Sequence, residues 1–337
     1  MPERANEVRQ FLESHGWGRA ASTPLPGDAS FRRYVRLVEE ERRALLMDAP
    51  PPEDPQRFAD IARHLIGLGY SAPAILAEAP EPGLLIIEDL GDETFTRLLD
   101  RGTDAATLYA LATDVLIDLH RRPLSETALS RLPPYDHDRF IEEACLLTDW
   151  YLPAVLGQPP APAVRNAYIE AWQATLPRTD GQPATLVLRD YHVDNLMCVP
   201  GRQGLAACGL LDFQDAVIGP AAYDLMSLLE DARREVAAPL RMAMLQRYRH
   251  AMPHLDWDAF IVAFTVLAAQ RHAKVIGIFT RLSTRDAKPH YLRHLPRVWR
   301  LLEQALRHPA LGPVRAWFEC HVPAPLRGTP ACLMRPQ

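Results

Sequence analysis

Three polar side chains stand out in the sequence because of their spacing and because each lies near a short apolar segment. Asp190 lies in the run LRDYHVDN, Asn195 comes five residues later, and Asp212 follows the apolar run GLL. Kinases transfer a phosphoryl group with this layout: a carboxylate, an amide five residues later, and a second carboxylate after the next β-like segment. Any one of these residues alone would more often be a turn or cap residue, but the combination favours catalysis.

Each of the three residues has a role that phosphoryl transfer requires. The transferred group needs little covalent help, but its spread negative charge must be met by Mg²⁺ and by fixed donors. We expect Asp190 to orient an acceptor hydroxyl and accept its proton, and we expect Asn195 and Asp212 to bind Mg²⁺ through oxygen atoms. His192 in the same loop is a candidate substrate contact, with loop packing as the alternative.

Residues 1–90 have the pattern of a small lobe that contains an antiparallel sheet. The β-like runs at 31–38 and 42–47 predict a hairpin, and apolar residues at helical spacing predict a helix over 58–68. A short apolar strand at 84–87 then leads into a hinge that contains a glycine. We expect this N-terminal lobe to bind a nucleotide.

Residues 91–337 are mostly helical in pattern, which predicts a larger lobe that carries the catalytic loop, the metal site and the substrate site. Only residues 185–213 interrupt the helices, with two β-like segments around LVL and GLLDF. The repeated prolines after Arg307 predict a surface tail without a long helix. The expected fold class is therefore α+β with two lobes. Helices are predicted at 107–121, 137–152, 162–175, 222–234, 239–250, 257–281 and 293–306.

Composition and charge argue against several kinds of partner. The net charge of -5 comes from 37 basic and 42 acidic residues without a basic block, which disfavours nucleic acid. The N-terminus lacks a secretory pattern, and no run approaches the ~20 apolar residues that a membrane span needs. The five cysteines lack the CxxC spacing of a zinc or redox site. The sequence predicts a soluble cytoplasmic protein, a monomer or weak dimer, with no membrane partner.

The runs LRDYHVDNL and LLDFQDAVIGPAAYDL resemble the two signature segments of the aminoglycoside phosphotransferase family. The resemblance covers roughly residues 20 to 300 and implies a protein-kinase-like, two-lobed fold that uses ATP and Mg²⁺. It assigns Asp190 as the catalytic base and Asn195 and Asp212 as the Mg²⁺ ligands. It also matches Asp224 to an acid that ties the following helix to the loop.

Four further segments are similar to one branch of that family, the anomeric sugar kinases of cell-wall recycling. These enzymes phosphorylate N-acetylmuramate and N-acetylglucosamine at carbon 1, so the likeness implies an amino sugar as substrate. Two alternatives stay open: a kinase for another small alcohol, such as an aminoglycoside or a choline-like amine, and a nucleotide-binding pseudokinase. The four segments are GDASFRRYVRL at 27–37, MDAPP at 47–51, GLLIIEDLGDETF at 83–95 and HAKVIGIFTRLSTRD at 272–286.

Within this likeness, two segments are expected to contact ATP. The loop between the first two strands would cover the phosphates, because small residues let backbone N–H groups approach them, although an ordinary hairpin turn is the alternative. The carbonyl of Glu88 and the N–H of Leu90 would bind the adenine edge at the hinge. The loop residues are Gly27, Asp28, Ala29 and Ser30.

One departure from the family pattern concerns the phosphates. The family commonly carries a lysine on the third strand, but residues 42–49 read RRALLMDA, with Met47 or Asp48 near the expected place. Our hypothesis is that Arg32 or Arg33, next to the nucleotide loop, supplies the missing positive charge.

The substrate residues are predicted from charge on one helix. Arg271 and Lys274 are three residues apart on the predicted helix 257–281, where they could bind the carboxylate of N-acetylmuramate, with a solvated helix face as the alternative. An aminoglycoside would instead need an acidic cleft. The acids in the matching region are Glu142, Glu143 and Asp149.

Overall fold

The computed structural model describes residues 2–26, 32–129 and 132–333 of the chain. The strands of this described part are β1 Ala21–Pro24, β2 Arg33–Glu39, β3 Arg42–Asp48, β4 Ile75–Ala79, β5 Leu84–Ile87, β6 Ala184–Val187, β7 Leu196–Cys198, β8 Cys208–Leu210 and β9 Val217–Pro220. The helices are α1 Pro2–Ser14, α2 Pro55–Gly67, α3 Phe95–Asp100, α4 Ala105–Arg121, α5 Leu124–Thr127, α6 His137–Ala144, α7 Leu152–Leu156, α8 Pro162–Thr175, α9 Ala222–Leu229, α10 Ala238–Ala251, α11 Trp257–Thr284, α12 Leu295–Leu306 and α13 Gly312–His321.

The chain divides into two compact units. The first unit contains the described residues of 1–115 and 193–216, and the second contains those of 116–192 and 217–337. The chain therefore passes from one unit to the other directly after His192, inside the run that holds Asp190 and Asn195. The sequence analysis assigned nucleotide binding to residues 1–90 and the catalytic, metal and substrate sites to residues 91–337. This assignment remains a prediction.

The first unit contains an antiparallel sheet of five strands in the order β1-β2-β3-β5-β4. Strands β2 and β3 form the predicted hairpin, in which Val35 pairs with Leu46. One face of the sheet is covered by apolar residues from the N-terminal segment, because Phe11 of α1 and Trp17 pack in one cluster with Leu37 and Leu46. The predicted antiparallel sheet is thus confirmed.

The β-like segments around residues 186–188 and 209–213 are present as β6 and β8, but they do not pair with each other. Strand β8 pairs with β7 in the first unit, and β6 pairs with β9 in the second. The sequence analysis missed β7 and β9 because strands of three and four residues are too short to show a clear alternation.

Helix α11 is the central helix of the second unit. It has 28 residues, and its segment from Phe260 to Leu282 is largely buried among its neighbours, which include α9 and α12. By length and composition it could cross a membrane, contrary to the expectation that no run approaches such a length. However, 78% of its most apolar window is buried inside the protein, as in the core helix of a globular unit.

Helix α11 approaches its neighbour very closely at Gly277. A Cβ atom at this position would lie 2.2 Å from the carbonyl carbon of Leu146, so only glycine fits. Leu146 directly precedes a π-helical turn, Leu147–Tyr151. The helix predicted over 137–152 is present only in part as α-helix, because α6 ends at Ala144 and this wider turn follows before α7.

The C-terminal tail, in which the sequence analysis expected no long helix, contains a helix of about three turns that it did not predict. Helix α13 has ten residues, and Pro313 lies in its first turn, where a missing backbone N–H costs nothing. Trp317 and Phe318 of this helix are buried, and the helix packs against α8. Pro313 therefore marks the start of a helix, whereas the sequence analysis treated the prolines of this segment only as helix breakers.

Candidate active site

The backbone before Asp190 is fixed by a buried carboxylate. Asp224, on the first turn of α9, accepts hydrogen bonds from the N–H of Leu188 at 2.6 Å and of Arg189 at 2.9 Å. Burial raises the pKa of Asp224 to about 7, although the two N–H donors favour its charged form. Arg189 has a left-handed backbone with φ of 71°, which is unusual for a residue with a side chain. The expectation that Asp224 ties its helix to the loop fits this geometry.

Asp190 lies among positive side chains that keep it ionised. Nη2 of Arg271 lies 3.7 Å from Oδ1 of Asp190, and the Asp190 side chain is 44% exposed. Burial raises the pKa of Asp190, but the charges of Lys274 and Arg271 outweigh this effect and lower the pKa to about 2. The carboxylate is therefore a charged acceptor that substrate can reach.

Glu143 of α6 connects two of the cations near Asp190. Its carboxylate forms ion pairs with the guanidinium of Arg189 and with Nζ of Lys274, the latter at 2.9 Å. The hydroxyl of Tyr135 donates to the same carboxylate, and the Arg189 guanidinium lies over the Tyr135 ring. Burial opposes ionisation of Glu143, but Lys274 and Arg189 reverse this and lower its pKa.

His192 is buried in the second unit and contacts a cation. Its Nε2 lies 2.9 Å from Nη1 of Arg233, which can only donate, so Nε2 accepts and carries no proton. Burial and the charge of Arg233 lower the pKa of His192. This hydrogen bond to Arg233 accounts for the orientation of the ring without any substrate, and a substrate role for His192 stays a prediction.

The first unit contains the two residues expected to bind Mg²⁺. The amide nitrogen of Asn195 lies 3.4 Å from Oδ2 of Asp212, so the side chains share one site. Oδ1 of Asp212 accepts hydrogen bonds from Nη2 of Arg32 and Nε2 of Gln214, both at 2.9 Å. Asp212 itself has a left-handed backbone, with φ of 57°.

The donor chemistry at Asp212 and Asn195 fits Mg²⁺. Within the described ranges, no group of three or more His, Cys, Asp or Glu side chains could hold a metal ion by itself. Two oxygen donors from the protein are the kind of set that Mg²⁺ uses when phosphates and water complete its octahedron. These residues would therefore hold a nucleotide-bound Mg²⁺ rather than an isolated structural ion.

Arg32 lies next to Asp212 and Asn195, whereas the strand positions where a lysine was expected, Met47 and Asp48, have other contacts. The Arg32 side chain is only 9% exposed, and its Nε lies 3.4 Å from Oε2 of Glu53. Met47 is fully buried, and Asp48 is paired with Arg4. Arg33 is exposed. Of the two arginines considered from the sequence, Arg32 is the one beside the expected metal ligands.

The hinge residues have backbone groups that a ligand could use. The N–H of Glu88 bonds to the carbonyl of Ala74, while the Glu88 carbonyl and the Leu90 N–H form no backbone hydrogen bond within the described part of the chain. The Leu90 side chain packs in an apolar cluster with Met197 and Val199. The loop predicted to cover the phosphates lies outside the described residues; its members are Gly27, Asp28, Ala29 and Ser30.

Comparison with known proteins identifies the family. The model of a phosphotransferase enzyme family, abbreviated APH, matches residues 22–261, which is more than half of the chain. The chain belongs to this phosphotransferase family. An N-acetylmuramate/N-acetylglucosamine kinase of Caulobacter vibrioides is 35% identical, with 96% of this chain and 98% of the relative covered. A kinase of the same name from Pseudomonas aeruginosa is 37% identical, with 90% of each chain covered.

A solved structure with the same fold is spectinomycin phosphotransferase in complex with ADP and spectinomycin. It is similar with a TM-score of 0.57 at 14% identity, and the match covers 93% of this chain and 98% of that one. The expected α+β, protein-kinase-like fold of the phosphotransferase family is thus confirmed.

The sequence analysis of this phosphotransferase missed one part of the site. It considered Glu143 only as part of an acidic cleft, and it predicted Arg271 and Lys274 as substrate residues, with a solvated helix face as the alternative. The structure instead buries Arg271 and Lys274 near Asp190, and Glu143 pairs with Lys274. Helical spacing along α11 indicated Arg271 and Lys274 from the sequence. No local pattern indicated that Glu143 of α6 would pair with Lys274.

Proposed function

We propose that this phosphotransferase is an ATP-dependent sugar kinase that phosphorylates the carbon-1 hydroxyl of N-acetylmuramate, N-acetylglucosamine or both. The observation that carries this proposal is the near-complete alignment, at 35% and 37% identity, with two relatives that bear this kinase name. The alignment extends over both units, so it includes the residues around Asp190 as well as those around Asp212.

In this mechanism Asp190 orients the sugar hydroxyl and takes its proton. A carboxylate with a pKa of about 2 is a weak base, so it accepts a hydrogen bond from the hydroxyl first. The proton moves late, once bonding to phosphorus has made the hydroxyl acidic, which suits the loose transition state of phosphoryl transfer. Arg271 and Lys274 keep Asp190 ionised for this purpose.

The residues of the first unit bind the nucleotide. Asn195 and Asp212 would hold Mg²⁺, which neutralises charge on the phosphates when it is bound. The backbone at Glu88 and Leu90 would bind the adenine edge, and the apolar cluster beside Leu90 would contact the base. The kinase names of the relatives support ATP as the phosphoryl donor.

The charges near Asp190 favour a sugar over a polycationic acceptor. Arg271, Lys274 and Arg189 place positive charge around the catalytic carboxylate, and the buried acid Glu143 is already paired. An aminoglycoside would be repelled by such surroundings, whereas a neutral or anionic amino sugar would not. This supports the sugar reading over the aminoglycoside alternative.

The direct test is ADP release with a panel of N-acetylmuramate, N-acetylglucosamine, glucose, kanamycin and choline, followed by phosphorus NMR of the product. We expect turnover with one or both N-acetyl sugars and a product phosphate bonded to carbon 1. The Asp190→Ala variant, purified in parallel, controls for a contaminating kinase. A phosphate on any other hydroxyl, or turnover only with kanamycin or choline, would reject the proposal.

We also propose that the protein works in the cytoplasm, where ATP is available, as a monomer or weak dimer. Light scattering of the purified protein at several concentrations tests the second point. A stable higher oligomer would contradict it.

A further inference from the structure

We propose that Arg32 is the phosphate-binding cation of this enzyme and that it alternates between two anions, the carboxylate of Asp212 and the phosphates of the nucleotide. The inference rests on the proposed function, because it assumes that the first unit binds a nucleotide with a divalent cation. It adds a coupling between metal and nucleotide that depends on one side chain.

The first step concerns the contacts of Arg32. Its Nη2 donates to Oδ1 of Asp212 at 2.9 Å, and its Nε lies 3.4 Å from Oε2 of Glu53. In protein kinases, the strand lysine pairs with a glutamate of the following helix. Glu53 lies just before α2, so Arg32 contacts a glutamate in a similar position along the chain and a metal-binding aspartate. It therefore makes a glutamate contact like that of the missing lysine, and it adds a contact to the expected metal ligand Asp212.

The second step concerns the origin of Arg32 in the fold. In the sheet, Tyr34 of β2 pairs with Met47 of β3, the position near which the lysine was expected. Arg32 lies two residues before Tyr34 and directly precedes β2, so its side chain starts beside the end of the neighbouring strand. The longer arginine side chain with its forked donors can contact two anions at once, which a single ammonium group does less well. The positive charge is therefore supplied from the residue before β2 rather than from β3.

The third step concerns competition for Asp212. A divalent cation bound to Asp212 would compete for the lone pairs of Oδ1, which now accept from Arg32 and Gln214. It would also repel the guanidinium, because two positive charges would then share one carboxylate. Arg32 and the cation are therefore competitors at Asp212.

The fourth step concerns where Arg32 goes. A metal ion held by Asp212 and Asn195 would neutralise charge on the nucleotide phosphates, so phosphate oxygens would enter the site together with the cation. Arg32 has a buried Nη1 atom without a hydrogen-bond partner among the residues that the structure describes. Glu53 keeps the guanidinium nearby while this nitrogen and the released Nη2 bind phosphate. The exchange replaces one anion by another and leaves the arginine charge compensated.

If this exchange occurs, removing Arg32 changes two affinities in opposite directions, the affinity for a divalent cation and the affinity for ADP. Without its competitor, Asp212 should bind a divalent cation several-fold more tightly. Without the phosphate-binding guanidinium, ADP should bind about tenfold or more weakly, as for loss of a charge-assisted hydrogen bond. Adenosine, which has no phosphate, should bind as before. A purely structural arginine would weaken all three.

The experiment measures binding rather than turnover. Mn²⁺ alone is titrated and followed by electron paramagnetic resonance, and ADP and adenosine are titrated by calorimetry in the presence of EDTA. The proteins are the wild type, R32M, R32K and the control R33M, which alters the exposed neighbour. We expect R32M to bind Mn²⁺ more tightly and ADP more weakly, R32K to recover part of the ADP affinity, and R33M to match the wild type.

Unchanged ADP affinity in R32M, or unchanged or weaker Mn²⁺ binding, would overturn the inference, as would a wild type that does not bind ADP. Should R32M fail to fold, Asp212→Asn tests the same exchange from the other side. That variant should lose Mn²⁺ binding but keep or gain ADP affinity, and a loss of ADP affinity would be a contradiction. The sugar panel is scored separately, so a wrong substrate and a wrong role for Arg32 are distinguishable.

Discussion

Lys274 and Glu143 form a buried ion pair, with 2.9 Å between Nζ and Oε2, in the unit that carries Asp190. Because Glu143 also pairs with Arg189, one carboxylate fixes the residue directly before Asp190 and a cation that favours its ionised form. The position and the charge of Asp190, the proposed base, thus depend on the same buried acid.

We expect Glu143→Gln to lower kcat with little change in ADP affinity, because Arg189 and Lys274 lose a shared anchor. Two buried cations would remain without their carboxylate, so the free energy of unfolding should fall by about 3 kcal/mol. Denaturant unfolding and steady-state kinetics measure the two effects. Glu142→Gln changes the exposed neighbour and serves as the control, and an unaltered kcat in Glu143→Gln would remove Glu143 from the positioning role.

Asp190→Ala should leave the fold and ADP affinity intact while lowering turnover by about 100-fold or more, the loss typical of a positioned base. The reason is that the sugar hydroxyl loses its only proposed proton acceptor. Steady-state kinetics, calorimetry and thermal unfolding of the same preparation separate these effects. Near-normal turnover would assign the role to another residue.

Lys274→Met should move the acid limb of activity to higher pH. Positive neighbours hold the pKa of Asp190 at about 2, so in the wild type it stays ionised throughout an ordinary assay range. Removing Lys274, the strongest of these neighbours, raises the pKa, and Asp190 then takes up its proton at higher pH than before. A pH profile of kcat measures the shift.

The matched control for this variant is Lys288→Met, because Lys288 is the only other lysine in the sequence. Its profile should coincide with that of the wild type. If the acid limbs of Lys274→Met and the wild type also coincide, Lys274 does not set the charge of Asp190.

Arg271→Gln should raise the KM for the sugar by about tenfold without weakening ADP binding. Its Nη1 is buried and has no hydrogen-bond partner among residues 2–26, 32–129 and 132–333, so this donor is available beside Asp190. One lost charge-assisted hydrogen bond corresponds to about this change. Arg281→Gln, on the same helix, is the control, and equal effects of both variants on KM would indicate a general loss of helix packing.

The sequence predicted the parts of the site that local spacing determines. Asp190, Asn195 and Asp212 lie in short loops next to short strands, so their separation along the chain already suggested the proposed chemistry. The hairpin β2–β3 and helix α11 were predicted for the same reason, since alternation and helical periodicity are local. The catalytic roles of Asp190, Asn195 and Asp212 remain predictions, and the Asp190 and Asp212 variants above test two of them.

Contacts between distant segments could not be predicted. Glu143 lies 46 residues before Arg189, and Arg32 lies 180 residues before Asp212. Nothing in the composition of either segment indicates which acid meets which cation, because that depends on how helices and strands pack. The helix α13 was missed for another reason, since Pro313 starts a helix as readily as it ends one.

The close approach of Gly277 to the backbone of Leu146 determines the orientation of the charged side chains of α11. A rotation of this helix by one residue, about 100° about its axis, would bring a side chain against the carbonyl group of Leu146, where not even a methyl group fits. Lys274 and Arg271 lie one and about two turns before Gly277, so their directions are fixed with it. Gly277, which has no side chain, thereby sets the orientation of two cations relative to the carboxylate of Asp190.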